Sequence, residues 1–181
     1  MAEELTVQSL AAGIGERLSL SAVTRPEVSG GVIRESSVCL PGLLLAGFAE
    51  GFRAERVQIL GAREVSYVDS MTEDARKAAL ARLCNPPVPC VIVADGLAPP
   101  PPLVELGDSR GVAVFTTPLA ADQLARDLAS ELEDLLAPHK VIHGTLVDVH
   151  GVGLLFTGKS GIGKSECGLD LVANGHRLVA D

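Results

Sequence analysis

The sequence has no tryptophan, one tyrosine and four phenylalanines, so aromatic residues fill only 3% of its 181 positions. Fifteen Lys and Arg stand against 23 Asp and Glu, a formal net charge of −8. It therefore lacks the basic, aromatic surface that tracks a phosphate backbone and stacks on bases, and nucleic-acid binding is disfavoured. Long apolar runs are missing too. The stretch from Val141 to Gly158 is broken by Asp148 and two histidines and is full of glycine, and nothing approaches the roughly 20 apolar residues that a membrane-spanning helix needs. The N-terminus, MAEELTVQSL, is acidic and has neither the basic region nor the apolar core of a secretory signal. A cytoplasmic location is the expectation.

Cysteine is sparse and unpatterned. Cys39, Cys84, Cys90 and Cys167 contain no CxxC spacing, and the proline-rich pentapeptide between Cys84 and Cys90 does not match a zinc knuckle. Buried or idle thiols are expected. No pair among His139, His143, His150 and His176 has metal-ligand spacing.

What is present reads as a folded α/β protein: 47% of residues are apolar and 21% charged. The length allows one full domain and part of another. Thr6 caps a short helix carrying Val7, Leu10 and Ile14, and Gly30-Gly31 opens an irregular stretch. The segments SSVCLPGLLLAGF and ERVQILGAREVSYV read as strand-like. Ser70 to Cys84 reads as a helix with Thr72 as cap and Glu73 and Asp74 in its first turn. Cys90–Ala94 and Val112–Phe115 are short continuous apolar runs, as in strands covered on both faces. Between them, the prolines of APPPPLVELGDSR stiffen a loop before a short helix; a rigid loop suits them better than a polyproline ligand. Thr117-Pro118 starts a helix in which Leu124, Leu128, Leu132 and Leu136 form one stripe. Ala137-Pro138 ends it, and the domain boundary is placed there, giving a first α/β sandwich domain with a largely parallel sheet over residues 1–138 and a second domain over 139–181.

The second domain opens with two strand-length runs, Gly144–His150 and Val152–Thr157, joined around Gly151 as a hairpin. The second run leads into GKSGIGKS, residues Gly158, Lys159, Ser160, Gly161, Ile162, Gly163, Lys164 and Ser165. This is GxxxxGK[ST] between a strand and a helix that ends at Asn174-Gly175. Glycine lets such a loop turn its backbone N–H groups inward around a phosphate. The helix N-terminus adds a favourable field, Lys164 can reach the β and γ phosphates, and Ser165 can give its hydroxyl oxygen to Mg²⁺. HRLVAD then reads as a strand ending in Asp181, an acid that can order Mg²⁺ or orient a nucleophile beside the loop. Chemistry alone leaves His143, at the start of the domain's first strand, more naturally structural than catalytic.

HGTLVDVHGVGLLFTGKSGIGKSECGLDLVANGHRLVAD resembles the first part of the catalytic domain of the bacterial HPr kinase/phosphorylase family. PGLLLAGF, ERVQILG, ARLCNPPVPCVIVADGL and LAPHKVIHG are similar to that family's N-terminal regulatory domain. The resemblance implies a Mur-ligase-like N-terminal domain and a P-loop domain like that of phosphoenolpyruvate carboxykinase. It further implies a homohexamer that uses ATP or pyrophosphate, with Mg²⁺, to phosphorylate a serine of the phosphocarrier HPr in carbon catabolite regulation, and that removes the phosphate by phosphorolysis. By motif, residues 158–165 would bind the phosphates, with Ser165 at the metal. Lys164 would stabilise transferring charge, His143 would belong to the active site, and Asp181 would match the first acid of a paired Asp-Asp that exchanges the serine proton.

Three departures qualify the resemblance. Lys159 stands where the family usually has an acid, His150 replaces a common tyrosine, and the sequence stops at Asp181, before the second Asp. A truncated product with little activity is the expectation. Two other readings stay open: a non-catalytic regulatory or assembly module, and another P-loop ATPase or small-molecule kinase.

Overall fold

The computed structural model describes residues 4–25, 31–85, 88–138 and 142–181. Gly30, His139 and the prolines at 86 and 87, all invoked above, lie outside the described residues. The chain forms two compact units, Met1–Ala137 and Pro138–Asp181.

In the first unit, α1 (Val7–Ile14) starts at Thr6, whose hydroxyl accepts from the Ser9 amide while the Ser9 side chain accepts from the Thr6 amide, a reciprocal capping box. The chain continues through β1 (Ser21–Ala22), α2 (Gly42–Leu45), β2 (Gln58–Leu60), α3 (Ala62–Asp69), α4 (Glu73–Leu83), β3 (Cys90–Val93), α5 (Pro101–Arg110), β4 (Ala113–Thr116) and α6 (Ala121–Leu136). The sheet order is β1-β4-β3-β2; β2, β3 and β4 are parallel and β1 is an antiparallel edge. This is the expected α/β sandwich. Ile59, Cys90, Ile92, Ala113 and Phe115 pack on one side of the sheet with α1 and α6. Leu60, Val91, Val93 and Val114 pack on the other with α2 to α5. β3 is buried at all four positions, which is why its run is continuous rather than alternating.

Three expectations need correction. The strand-like segments hold only one short strand, β2; Gly42–Leu45 and Ala62–Asp69 are helical. At α3 the reason is local: the Glu64 side chain accepts from the Gly61 amide, and Val65 and Val68, three apart, share the buried face. Next, α6 begins at Ala121, with Thr117 and Pro118 outside it, and the Thr117 hydroxyl donates to the Leu18 carbonyl at 2.7 Å. Finally, Pro101 and Pro102 lie in the first turn of α5, where a missing N–H costs nothing, and not in the loop before it.

The caps of α3 and α6 come from one distant side chain. Asp95, held at φ 60° after β3, accepts from Ala62 N (2.7 Å) through one carboxylate oxygen and from Ala121 N (2.9 Å) through the other. The carboxylate thus satisfies first-turn amides of helices on opposite sides of the sheet.

The second unit is a sheet of β5 (Gly144–Val149), β6 (Val152–Thr157) and β7 (Arg177–Ala180) with α7 (Lys164–Ala173) packed on it. Its order, β6-β5-β7, puts β5 at the centre, antiparallel to both neighbours. The β5–β6 hairpin turns through His150 (φ 53°) and Gly151 (φ 83°), two left-handed residues in succession, as a tight two-residue hairpin requires. Asp148 Oδ1 accepts from Gly151 N at 2.8 Å across that turn. The His150 and His176 rings meet edge to face with centroids 4.9 Å apart, a pairing invisible in their sequence spacing.

Candidate phosphate site

Strand register explains why the candidate residues meet. Gly144, the first residue of β5, pairs with Thr157, the last of β6, and Leu146 pairs with Ala180 of β7. The start of the central strand is therefore flanked on one side by the entry to the loop and on the other by Asp181. Gly144 permits the approach, since a Cβ there would lie 2.4 Å from the Phe156 carbonyl oxygen.

Between β6 and α7 the loop passes through left-handed Gly161 (φ 80°) and Gly163 (φ 93°). Gly163 is the N-cap of α7 and brings no side-chain cap, so the first turn keeps unpaired N–H donors and the positive end of the helix dipole for an anion. Lys164 folds back over the loop, donating to the Gly158 and Lys159 carbonyls at 3.1 and 2.9 Å. Those bonds hold its ammonium over the turn. Gly158, Lys159, Ser160, Gly161 and Ile162 are all exposed, open to a ligand from solvent.

Ser165, the second residue of α7, donates to the Asp181 carboxylate, 3.0 Å from Oδ1 and 3.2 Å from Oδ2. The structure adds a residue that the motif does not contain: the buried Thr145 also donates to Asp181 Oδ1. These bonds hold the Asp181 carboxyl below its ordinary range, the one from Thr145 contributing most, then that from Ser165, with the Lys164 charge adding less. A carboxylate and a hydroxyl on facing elements form a hard oxygen donor set of the kind Mg²⁺ prefers, so these residues fit that ion. His143 is exposed and directly precedes Gly144, whose partner Thr157 leads into the loop.

Thr145 left a signal in the sequence. In GTLVDV the alternation puts it on the same face as Val147, and a polar residue at an inward position calls for a partner.

Residues 5–132 match the family described as HPr Serine kinase N terminus, and residues 134–181 match the HPr Serine kinase C-terminal domain. The chain belongs to the HPr kinase/phosphorylase family. Members named HPr kinase/phosphorylase are 42% identical in Geobacillus kaustophilus and 40% identical in Bacillus subtilis, each over 92% of this chain and 53% and 54% of the relative. The Geobacter sulfurreducens member is 40% identical over 98% of this chain and 51% of its own length. The chain thus spans about half the length of the curated relatives it matches. A solved structure of the CBS and DRTGG domains of the regulatory region of Clostridium perfringens pyrophosphatase, complexed with diadenosine tetraphosphate, overlays 72% of this chain and 51% of that one. Its TM-score of 0.45 and identity of 20% are too low to bear on the fold.

No helix among the described residues is long and apolar enough to cross a membrane. Among the same residues no group of three or more His, Cys, Asp and Glu could hold a metal ion.

Proposed function

We propose that the chain carries the regulatory domain (residues 1–138) and the opening of the catalytic domain (139–181) of a cytoplasmic, hexameric HPr kinase/phosphorylase. On this reading it takes ATP or pyrophosphate with Mg²⁺ and acts on a serine of HPr. The observation that carries the reading is the phosphate loop with Lys164 folded over it and Ser165 bonded to Asp181, within a chain of this family.

Residues 158–165 bind the phosphates through backbone N–H groups and the N-terminus of α7, and Lys164 neutralises charge that develops on the transferring group. Ser165 and Asp181 would hold Mg²⁺, which supplies charge neutralisation between the phosphates when bound. In the kinase direction the serine oxygen of HPr bonds to the terminal phosphorus, the bond from that phosphorus to its bridging oxygen breaks, and Asp181 takes the serine proton. In phosphorolysis an orthophosphate oxygen bonds to the seryl phosphorus, forming pyrophosphate, the bond from that phosphorus to the serine oxygen breaks, and Asp181 returns the proton to that oxygen. His143, just before the start of β5, is assigned to the active site, and Lys159 adds a cation at the mouth of the loop.

The exposure of residues 158–162 of the loop argues that this chain transfers phosphate poorly by itself, because such chemistry needs a water-excluded site. Titration calorimetry with ATP and with pyrophosphate tests the reading. Both are expected to bind, and Lys164→Ala to weaken each at least about tenfold, the scale of one lost charge-assisted contact to phosphate. Absence of binding by the wild type would overturn the reading. Efficient phosphate transfer to HPr by the 181-residue chain would overturn the claim of low activity.

A further inference from the structure

We propose that Thr145 is a positioning residue of the phosphate site, its hydroxyl fixing the Asp181 carboxylate toward Ser165 while its methyl group seats α7 on β5. The inference rests on the reading of residues 158–165 as a nucleotide site and names the residue that orders its acid.

Thr145 is only 2% exposed, so its hydroxyl must be satisfied inside the protein, and Asp181 Oδ1 accepts it. The other end of the side chain meets the helix. A Cβ placed on Gly168 of α7 would stand 2.5 Å from Thr145 Cγ2 and 3.7 Å from Val147 Cγ2, so α7 lies on β5 at the one position where it has no side chain to interfere. Thr145 therefore touches both elements that carry the site, α7 with Lys164 and Ser165, and the end of β7 with Asp181.

The two hydroxyls on Asp181 differ in what else they can do. Ser165 is exposed, and a lone pair given to a cation reorients its hydroxyl proton. Thr145 is enclosed by the strand and helix, and its bond remains. That bond then keeps the carboxylate from rotating away. A β-branched residue suits the task because its χ1 is stiff.

The test uses the whole chain and calorimetric titration of ATP with and without MgCl₂, comparing wild type, Thr145→Val and Thr145→Ser, with thermal melting of each. Valine keeps the methyl contact and removes the donor; serine keeps the donor. Thr145→Val is expected to retain magnesium-free ATP affinity within about twofold and to lose at least about tenfold of the strengthening by Mg²⁺, the effect of one hydrogen bond to a charged group. Thr145→Ser is expected to recover that strengthening. A Thr145→Val protein with the full magnesium effect would overturn the proposal. So would a Thr145→Ser protein as deficient as Thr145→Val, which would mean that only the packing on Gly168 matters. If Thr145→Val does not fold, Thr145→Ala is read against Thr145→Ser by the same criteria. A wild type that binds ATP under neither condition overturns the phosphate-site reading itself and this proposal with it, an outcome distinguishable because the variants play no part in it.

Discussion

Cys90, at the start of β3, is fully buried, and desolvation alone pushes its thiol up to about 12. Cys84, at the end of α4, is buried and raised to about 11 by the same cause, the Arg110 charge offsetting little. Cys39 is half-buried and also raised, desolvation outweighing a backbone hydrogen bond from Arg53 and the Arg56 charge. Cys167 is exposed on α7. Only thiolate reacts, and it must be reachable. Titration of the native protein with Ellman's reagent at pH 8 is expected to release one fast equivalent, abolished by Cys167→Ser. Cys39 should react more slowly, and Cys84 and Cys90 only in denaturant. Rapid modification of all four in the native protein would contradict the burial described for β3 and α4.

At the scale of elements, Asp95 ties the N-termini of α3 and α6 to the end of β3. Asp95→Ala removes both bonds and keeps an unfavourable positive φ, and is expected to lower urea-unfolding stability by about 1–2 kcal/mol, the usual loss for a helix cap. Asp95→Asn, which tolerates the backbone and keeps an acceptor, should lose less. Equal stability of wild type and Asp95→Ala would show that solvent replaces both caps. The same residue explains where sequence reading stops. The stripe of Leu124, Leu128 and Leu132 declares α6 because its partners are four residues away, and β3 and β4 declare themselves as buried apolar runs. The start of α6 depends on a carboxylate 26 residues upstream, so no local pattern marks it. α3 is eight residues long and mixes Val65, Tyr67 and Val68, too short for a period of 3.6 to be told from a strand. In the phosphate site the loop is contiguous and therefore legible, whereas the bond between Thr145 and Asp181 spans 36 residues and exists only through the pairing of β5 with β7.

Across the whole molecule the buried apolar side chains are distributed unequally. In the first unit they form a cluster on each side of the sheet, with Leu10, Ile59, Leu60, Leu80, Ile92, Leu103, Leu124, Leu128 and Leu132 at 0% exposure. In the second, Val147 is the one buried apolar side chain among the described residues, while Val152, Leu169 and Val179 are more than half exposed. Apolar burial contributes roughly 1.5–3 kcal/mol for each large side chain, so the two units cannot be equally resistant to opening. β6 and β7 each pair only with β5 in the described structure, leaving one backbone edge of each strand without sheet partners. Amide hydrogen exchange is therefore expected to be slowest in β3 and β4 and at least about a hundredfold faster in β6 and β7, a local opening easier by about 2.7 kcal/mol. ATP and Mg²⁺ should slow exchange in α7 and β7 and leave β3 and β4 unchanged, because a ligand stabilises the unit that binds it. Equal protection of β3 and β6 in the free chain would contradict the burial argument, and slowing confined to the first unit would locate nucleotide binding away from residues 158–165.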